Sequence, residues 1–84
     1  MTCKIINGKL YLVTGASGFL GTFLCKRILE QGGLVRALGR NEGKLIELKQ
    51  NFPEIEIYIG DISDKFVVRQ AMKDVNGVFH LAVS

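Results

Sequence analysis

The chain has 84 residues, 48% of them hydrophobic, with one proline and a formal net charge of +3. That length holds one small domain near the lower end of what folds unaided, burying only about 60 to 65% of its unfolded surface, and its apolar content excludes a disordered chain. The 11 basic residues are spread without interleaved aromatics, which argues against a nucleic-acid surface, and no apolar run approaches membrane-spanning length.

Leu10 to Thr14 is a short, continuously apolar run of the kind carried by strands buried on both faces of a parallel sheet. From Phe19 to about Glu30 the apolar residues Leu20, Phe23, Leu24 and Ile28 recur at helical spacing, and Gly32-Gly33 supplies a left-handed stop. Leu34 to Gly39 reads as a second strand. Glu42 to Asn51 reads as a short helix carrying Leu45 and Leu48, ended by Pro53. Ile55 to Gly60 alternates as a third strand, Ser63 or Asp64 caps a helix with Val67, Val68, Ala71, Met72 and Val75 on one face, and Gly77 to Ala82 is a fourth strand. This β-α-β-α-β-α-β order requires right-handed crossovers and predicts an α/β fold: a partial doubly wound parallel sheet, strand order 3-2-1-4, with flanking helices. Its ligand crevice lies at the carboxyl ends of strands one and four.

The chemical signal is the turn Gly15-Ala16-Ser17-Gly18-Phe19-Leu20-Gly21 between the first strand and the first helix. A strand that ends in glycines and turns into a helix aims the first unpaired helical N–H groups, and the positive end of the helix dipole, at an anion over the turn. Gly15 permits the tight exit from the strand, Gly18 lets a phosphate approach the backbone, and Gly21 lets the helix pack against the strand. Glycines at every third position differ from the G-x-G-x-x-G spacing of the common dehydrogenase fingerprint. A purely conformational turn is the competing reading, and it loses ground because the topology, read from other residues, places the turn at the crevice.

Cys3 and Cys25 show no metal or redox spacing and read as free thiols of a reducing cytosol; with no signal-peptide pattern at the N-terminus, a cytoplasmic protein is expected.

Four segments carry a resemblance. Val13 to Gly21, Val35 to Asn41, Gly60-Asp61-Ile62-Ser63-Asp64, and Val75-Asn76-Gly77-Val78-Phe79-His80-Leu81-Ala82 together resemble successive landmarks of the extended short-chain dehydrogenase/reductase superfamily, the NAD(P)-dependent epimerase, dehydratase and dihydroflavonol-reductase-like group. The resemblance spans essentially the whole chain. It implies a Rossmann domain and a dinucleotide cofactor, with Gly15, Ser17, Gly18, Phe19, Leu20 and Gly21 at the pyrophosphate. The position after strand two meets the adenosine ribose in that family, and here it matches Arg40. A guanidinium there pairs with a 2′-phosphate, with Lys44 as a second cation, so NADP is expected over NAD. A solvated surface arginine is the competing reading of Arg40. Arg36, inside the strand, reads as a side chain snorkelling at an edge. Asp61 matches the acidic residue that contacts the adenine amino group, with the Ile62 backbone beside it; capping of the next helix is its other role, and the two stand open. Leu81 and Ala82 match the strand end that passes the ribose and diphosphate. His80, the one histidine, is structural in the matching motif.

The family's catalytic tyrosine, with a lysine four residues on, has no counterpart: Gly15 follows Tyr11 at that distance and Ile62 follows Tyr58. The 84 residues are therefore expected to be the N-terminal part of a NAD(P)-binding domain cut after strand four, with chemistry supplied beyond Ser84. The alternative is a stand-alone, non-catalytic nucleotide-binding module. An apolar strand-four edge, Val78 to Val83, invites self-association.

Overall fold

Strand periodicity sorts the apolar residues onto two faces of one sheet. A computed structural model of the chain describes residues 5–16 and 18–81. Strand β1 (Leu10–Thr14) sends Tyr11 and Val13 to one side and Leu12 to the other, all buried; β2 (Leu34–Gly39) sends Val35 and Ala37 with the first set and Leu38 with the second. Helices α1 (Phe19–Glu30) and α2 (Glu42–Asn51) cover the first face with Cys25, Ile28, Leu45 and Leu48, and α3 (Lys65–Ala71) covers the second with Ala71 and the half-buried Val67. Burying a side chain as fully as Leu12 or Ile28 contributes about 1.5–3 kcal/mol.

The sheet is completed by β3 (Glu56–Ile59) and β4 (Gly77–His80), all pairings are parallel, and the order is β3-β2-β1-β4, as expected from the connection rules. The reversal of direction from β3 across to β4 leaves the carboxyl ends of β1 and β4 side by side, in the register Val13 to Phe79 and Thr14 to His80.

The first four elements run as their patterns predict, and the later bounds are shorter. Ile55 is buried just ahead of β3, β4 ends at His80, and α3 ends at Ala71, so Val75 packs on the core from the following loop. The stop of α1 is Gly32, at φ +87°. The face of α1 is displaced from expectation. Leu20 and Phe23 are 61% and 56% exposed, whereas Gly21, Cys25 and Ile28 are buried, because the close approach at Gly21 sets the rotation of the helix.

Arg36 is not at an edge, since β2 is an internal strand. It shares a face with Leu38 and reaches α3: Nε donates to Glu56 Oε1 at 2.9 Å, and Nη1 donates to the Ala71 and Lys73 carbonyls at 2.6 and 2.8 Å. A guanidinium thus satisfies carbonyls at a helix C-terminus that have no partner in the helix itself.

Candidate functional site

The glycine turn is tied to both neighbours of β1. The N–H groups of Gly15 and Ala16 donate to the Leu38 carbonyl at 3.0 and 3.4 Å, and the Leu81 N–H donates to the Thr14 carbonyl at 3.1 Å. The buried Thr14 hydroxyl and His80 Nδ1 share a hydrogen bond of 2.8 Å across the β1–β4 crevice, which gives the histidine a structural role.

Three glycines within this turn meet different surroundings. Gly15 takes φ +71°, a conformation that a side chain strains, as the chain leaves the strand. A Cβ on Gly21 would stand 2.6 to 2.8 Å from the backbone of Ala16, so the close approach at this glycine is to the residue of the turn that follows the strand. Gly18 caps α1 at φ −88°, an ordinary backbone conformation, and a Cβ there would meet only the Gly15 carbonyl oxygen at 3.8 Å. Among the described residues nothing in the packing demands a glycine at 18.

The N-terminus of α1 is arranged for an anion. The first intrahelical bond runs from Thr22 N–H to the Gly18 carbonyl, so the N–H groups of the first turn lack intrahelical partners, and that turn holds no acidic side chain. Gly18 leaves open the space a side chain would fill. The turn therefore fits a phosphate that approaches the backbone closely, as a dinucleotide requires. Phe19 and Leu20 begin the helix with exposed side chains, 93% and 61%, so only their backbone is placed to serve the turn. Ser17 and Ala82, expected at the pyrophosphate and at the ribose, lie outside the described residues, as do Cys3 and Val83.

The second half of the site lies at the carboxyl ends of β2 and β3. Arg40 follows β2 directly and is 79% exposed; its Nη1 lies 3.6 Å from Asp61 Oδ2. Lys44 is exposed in the first turn of α2, its N–H held by the Asn41 side chain at 3.0 Å. Asn41 is the helix cap, a residue that sequence reading passed over although Asn one position ahead of an amphipathic run is a cap signal.

Asp61 does not cap α3. Asp64 does, accepting from the N–H groups of Phe66 and Val67 at 3.0 and 3.4 Å, while Asp61 Oδ1 accepts from the Ser63 N–H and hydroxyl, both at 2.9 Å. These two bonds, with a smaller contribution from Arg40, hold the Asp61 carboxyl below the ordinary range of an aspartate. The Ile62 side chain packs on the core between sheet and α3, so only its backbone can face the rim, and Leu81 packs on the α1 face. The structure brings the turn, His80 and Leu81 together at one crevice and Arg40 with Asp61 at the neighbouring strand ends.

Residues 11–84 match the model of the NAD dependent epimerase/dehydratase family. The chain belongs to that family. It is 37% identical to dihydroflavonol 4-reductase of Callistephus chinensis over 76 residues, covering 83% of this chain and 21% of that protein. It is 35% identical to cinnamoyl-CoA reductase 1 of Petunia hybrida over 84 residues, covering 94% of this chain and 25% of that protein. Among solved structures it is similar to Pen from Bacillus thuringiensis, with TM-score 0.86 and 29% identity over 93% of this chain and 25% of that one. It is also similar to the epimerase Mth375 of Methanothermobacter thermautotrophicus, with TM-score 0.79 and 32% identity over 93% of this chain and 24% of that one. The family member described here thus spans 21% to 25% of the length of these relatives, and it carries their Rossmann-like sheet and a nucleotide-binding portion. Among the described residues no helix is long and apolar enough to cross a membrane.

Proposed function

We propose that these residues form the cofactor-binding portion of an extended short-chain dehydrogenase/reductase that prefers NADP to NAD. Gly15, Ser17, Gly18 and Gly21, with the backbone of Phe19 and Leu20, take the pyrophosphate; Arg40 with Lys44 takes the 2′-phosphate; Asp61 and the Ile62 backbone take the adenine; Leu81 and Ala82 line the ribose and diphosphate. The single observation that carries the preference is Arg40, an exposed guanidinium directly after β2, the strand whose Leu38 carbonyl anchors the phosphate turn. The bound nicotinamide would supply hydride transfer to a carbonyl or alcohol, or to a nucleotide sugar, and the residues described here would bind and orient it.

Neither tyrosine described here is placed for a proton-transfer step. Tyr11 is buried and its hydroxyl accepts from the Ile6 N–H at 2.9 Å, and Tyr58 packs on the α3 side, so neither phenol serves the glycine turn. That same placement suits the alternative reading, a non-catalytic nucleotide-binding module. A reading frame that continues into Tyr-x-x-x-Lys supports the reductase portion, and a stop codon after Ser84 with a matching intact mass supports the module.

Titration of NADPH and NADH into the protein tests the preference. NADPH is expected to bind at least tenfold more tightly, and Arg40→Asp is expected to remove or reverse that difference. Equal affinities that Arg40→Asp leaves unchanged would reject the 2′-phosphate assignment.

A further inference from the structure

Arg40 and Asp61 meet because their strands end together. Gly39 pairs with Ile59, the Gly60 N–H donates to the Gly39 carbonyl at 2.9 Å, and the chain delivers residues 40 and 61 to one rim. The carboxylate there is not free to turn. Ser63 occupies Oδ1 with two hydrogen bonds of 2.9 Å, which directs Oδ2 at the guanidinium 3.6 Å away. Both side chains are exposed, and among the described residues neither forms an ion pair with any other group.

We propose that Asp61 is a specificity-determining residue: an internal counter-ion that pairs with Arg40 when no 2′-phosphate is bound, and whose charge lowers the preference of this site for 2′-phosphorylated over unphosphorylated adenosine ligands. The inference rests on the assignment of Arg40 to the 2′-phosphate. A phosphate monoester carries close to two negative charges at neutral pH, so it competes with the carboxylate for one guanidinium and is repelled by the carboxylate once it arrives. Because Ser63 holds the carboxylate in place, Asp61 cannot swing clear without losing two hydrogen bonds. An unphosphorylated ribose leaves the Arg40–Asp61 pair intact and meets no such opposition. The size of the effect follows that of an exposed ion pair, about threefold to fivefold in affinity, and it is screened by salt.

The test compares two ligands that differ only in the 2′-phosphate, 2′,5′-ADP and 5′-AMP, titrated calorimetrically into the wild-type protein and into Asp61→Asn, Asp61→Ser and Arg40→Gln. The ratio of the two affinities cancels whatever Asp61 contributes to the adenine, which both ligands share. Asp61→Asn keeps a carbonyl oxygen for Ser63, and Asp61→Ser removes the charge with a smaller side chain should the amide disturb the turn. Both are expected to raise the ratio about threefold to fivefold at low ionic strength and by less in 0.5 M salt, roughly as the screening length shrinks. Arg40→Gln should bring the ratio close to one. A ratio that Arg40→Gln abolishes but both Asp61 variants leave unchanged or lower overturns the counter-ion role and leaves the 2′-phosphate assignment standing. A wild-type ratio near one that Arg40→Gln does not move overturns both.

Discussion

A methyl group on Gly21 would stand 2.6 Å from the Cα of Ala16 and 2.7 Å from its carbonyl oxygen. The obstacle is backbone on both sides, so no side-chain rotation relieves it. Gly21→Ala should therefore push α1 off the turn and cost at least the 1–3 kcal/mol typical of overpacking, roughly. A denaturant midpoint close to wild type would show that the turn yields more readily than its contacts indicate.

Gly18 predicts the opposite phenotype. Its φ of −88° suits any residue, and the nearest atom to a Cβ placed there is 3.8 Å away. Gly18→Val should cost only about 1 kcal/mol of stability, the loss typical when a residue favoured at a helix cap gives way to an apolar one. It should nonetheless weaken nucleotide binding at least tenfold, because the branched side chain fills the space over the first helical N–H groups. Unchanged affinity would remove the turn from the proposed site.

Arg36 serves architecture and not the cofactor. Arg36→Met keeps the apolar stem but strips the Glu56 pair and leaves the carbonyls of Ala71 and Lys73 to solvent. A loss of about 1–3 kcal/mol is expected, in the range for hydrogen bonds from a charged donor. The ratio of NADPH to NADH affinity should stay at its wild-type value, whereas a changed ratio would place Arg36 at the ligand.

Cys25 makes stability depend on alkaline pH. It is fully buried, and burial pushes its thiol from 9.0 up to about 12 in the folded chain. Below pH 9 both states hold the proton and the contribution is intact. Between pH 9 and about 12 the unfolded chain releases a proton that the folded chain keeps, so stability falls with rising pH, by up to about 1.4 kcal/mol per unit from this group. Denaturation at pH 8 and pH 10.5 should show a shallower fall for Cys25→Ala than for wild type. A thiol reagent should label native Cys25 only as fast as the protein opens.

Among the described residues β4 pairs with β1 alone, and Val78 on it is 44% exposed. A strand edge with an apolar side chain is a template for a second chain. Concentration-dependent association is expected in sedimentation, and Val78→Lys should reduce it. A stable, dilute wild-type monomer with a cooperative melt would count against an adhesive edge.

The fold was legible because hydrophobic period and turn chemistry agreed along the chain. Leu10 to Thr14 has the short, continuously apolar pattern of a strand buried on both faces, and Pro53 and Asp64 punctuate the segments around them. The rotation of α1 was not legible. Leu20 and Phe23 look like core by spacing, but the Gly21–Ala16 approach turns the buried face toward Cys25 and Ile28. The role of Arg36 was hidden for a similar reason, since Ala71 and Lys73 lie 35 and 37 residues away along the chain.

The sequence by itself determined the strand and helix order, the strand order of the sheet and the glycine turn at its crevice, because these follow from local periodicity, backbone sterics and the handedness of crossovers. Only the tertiary structure decided which glycine is packed and which is open, that Ser63 and not α3 occupies Asp61, and that Asp61 faces Arg40. Those relationships join residues from different strand ends, and their geometry exists only once the strands are in register.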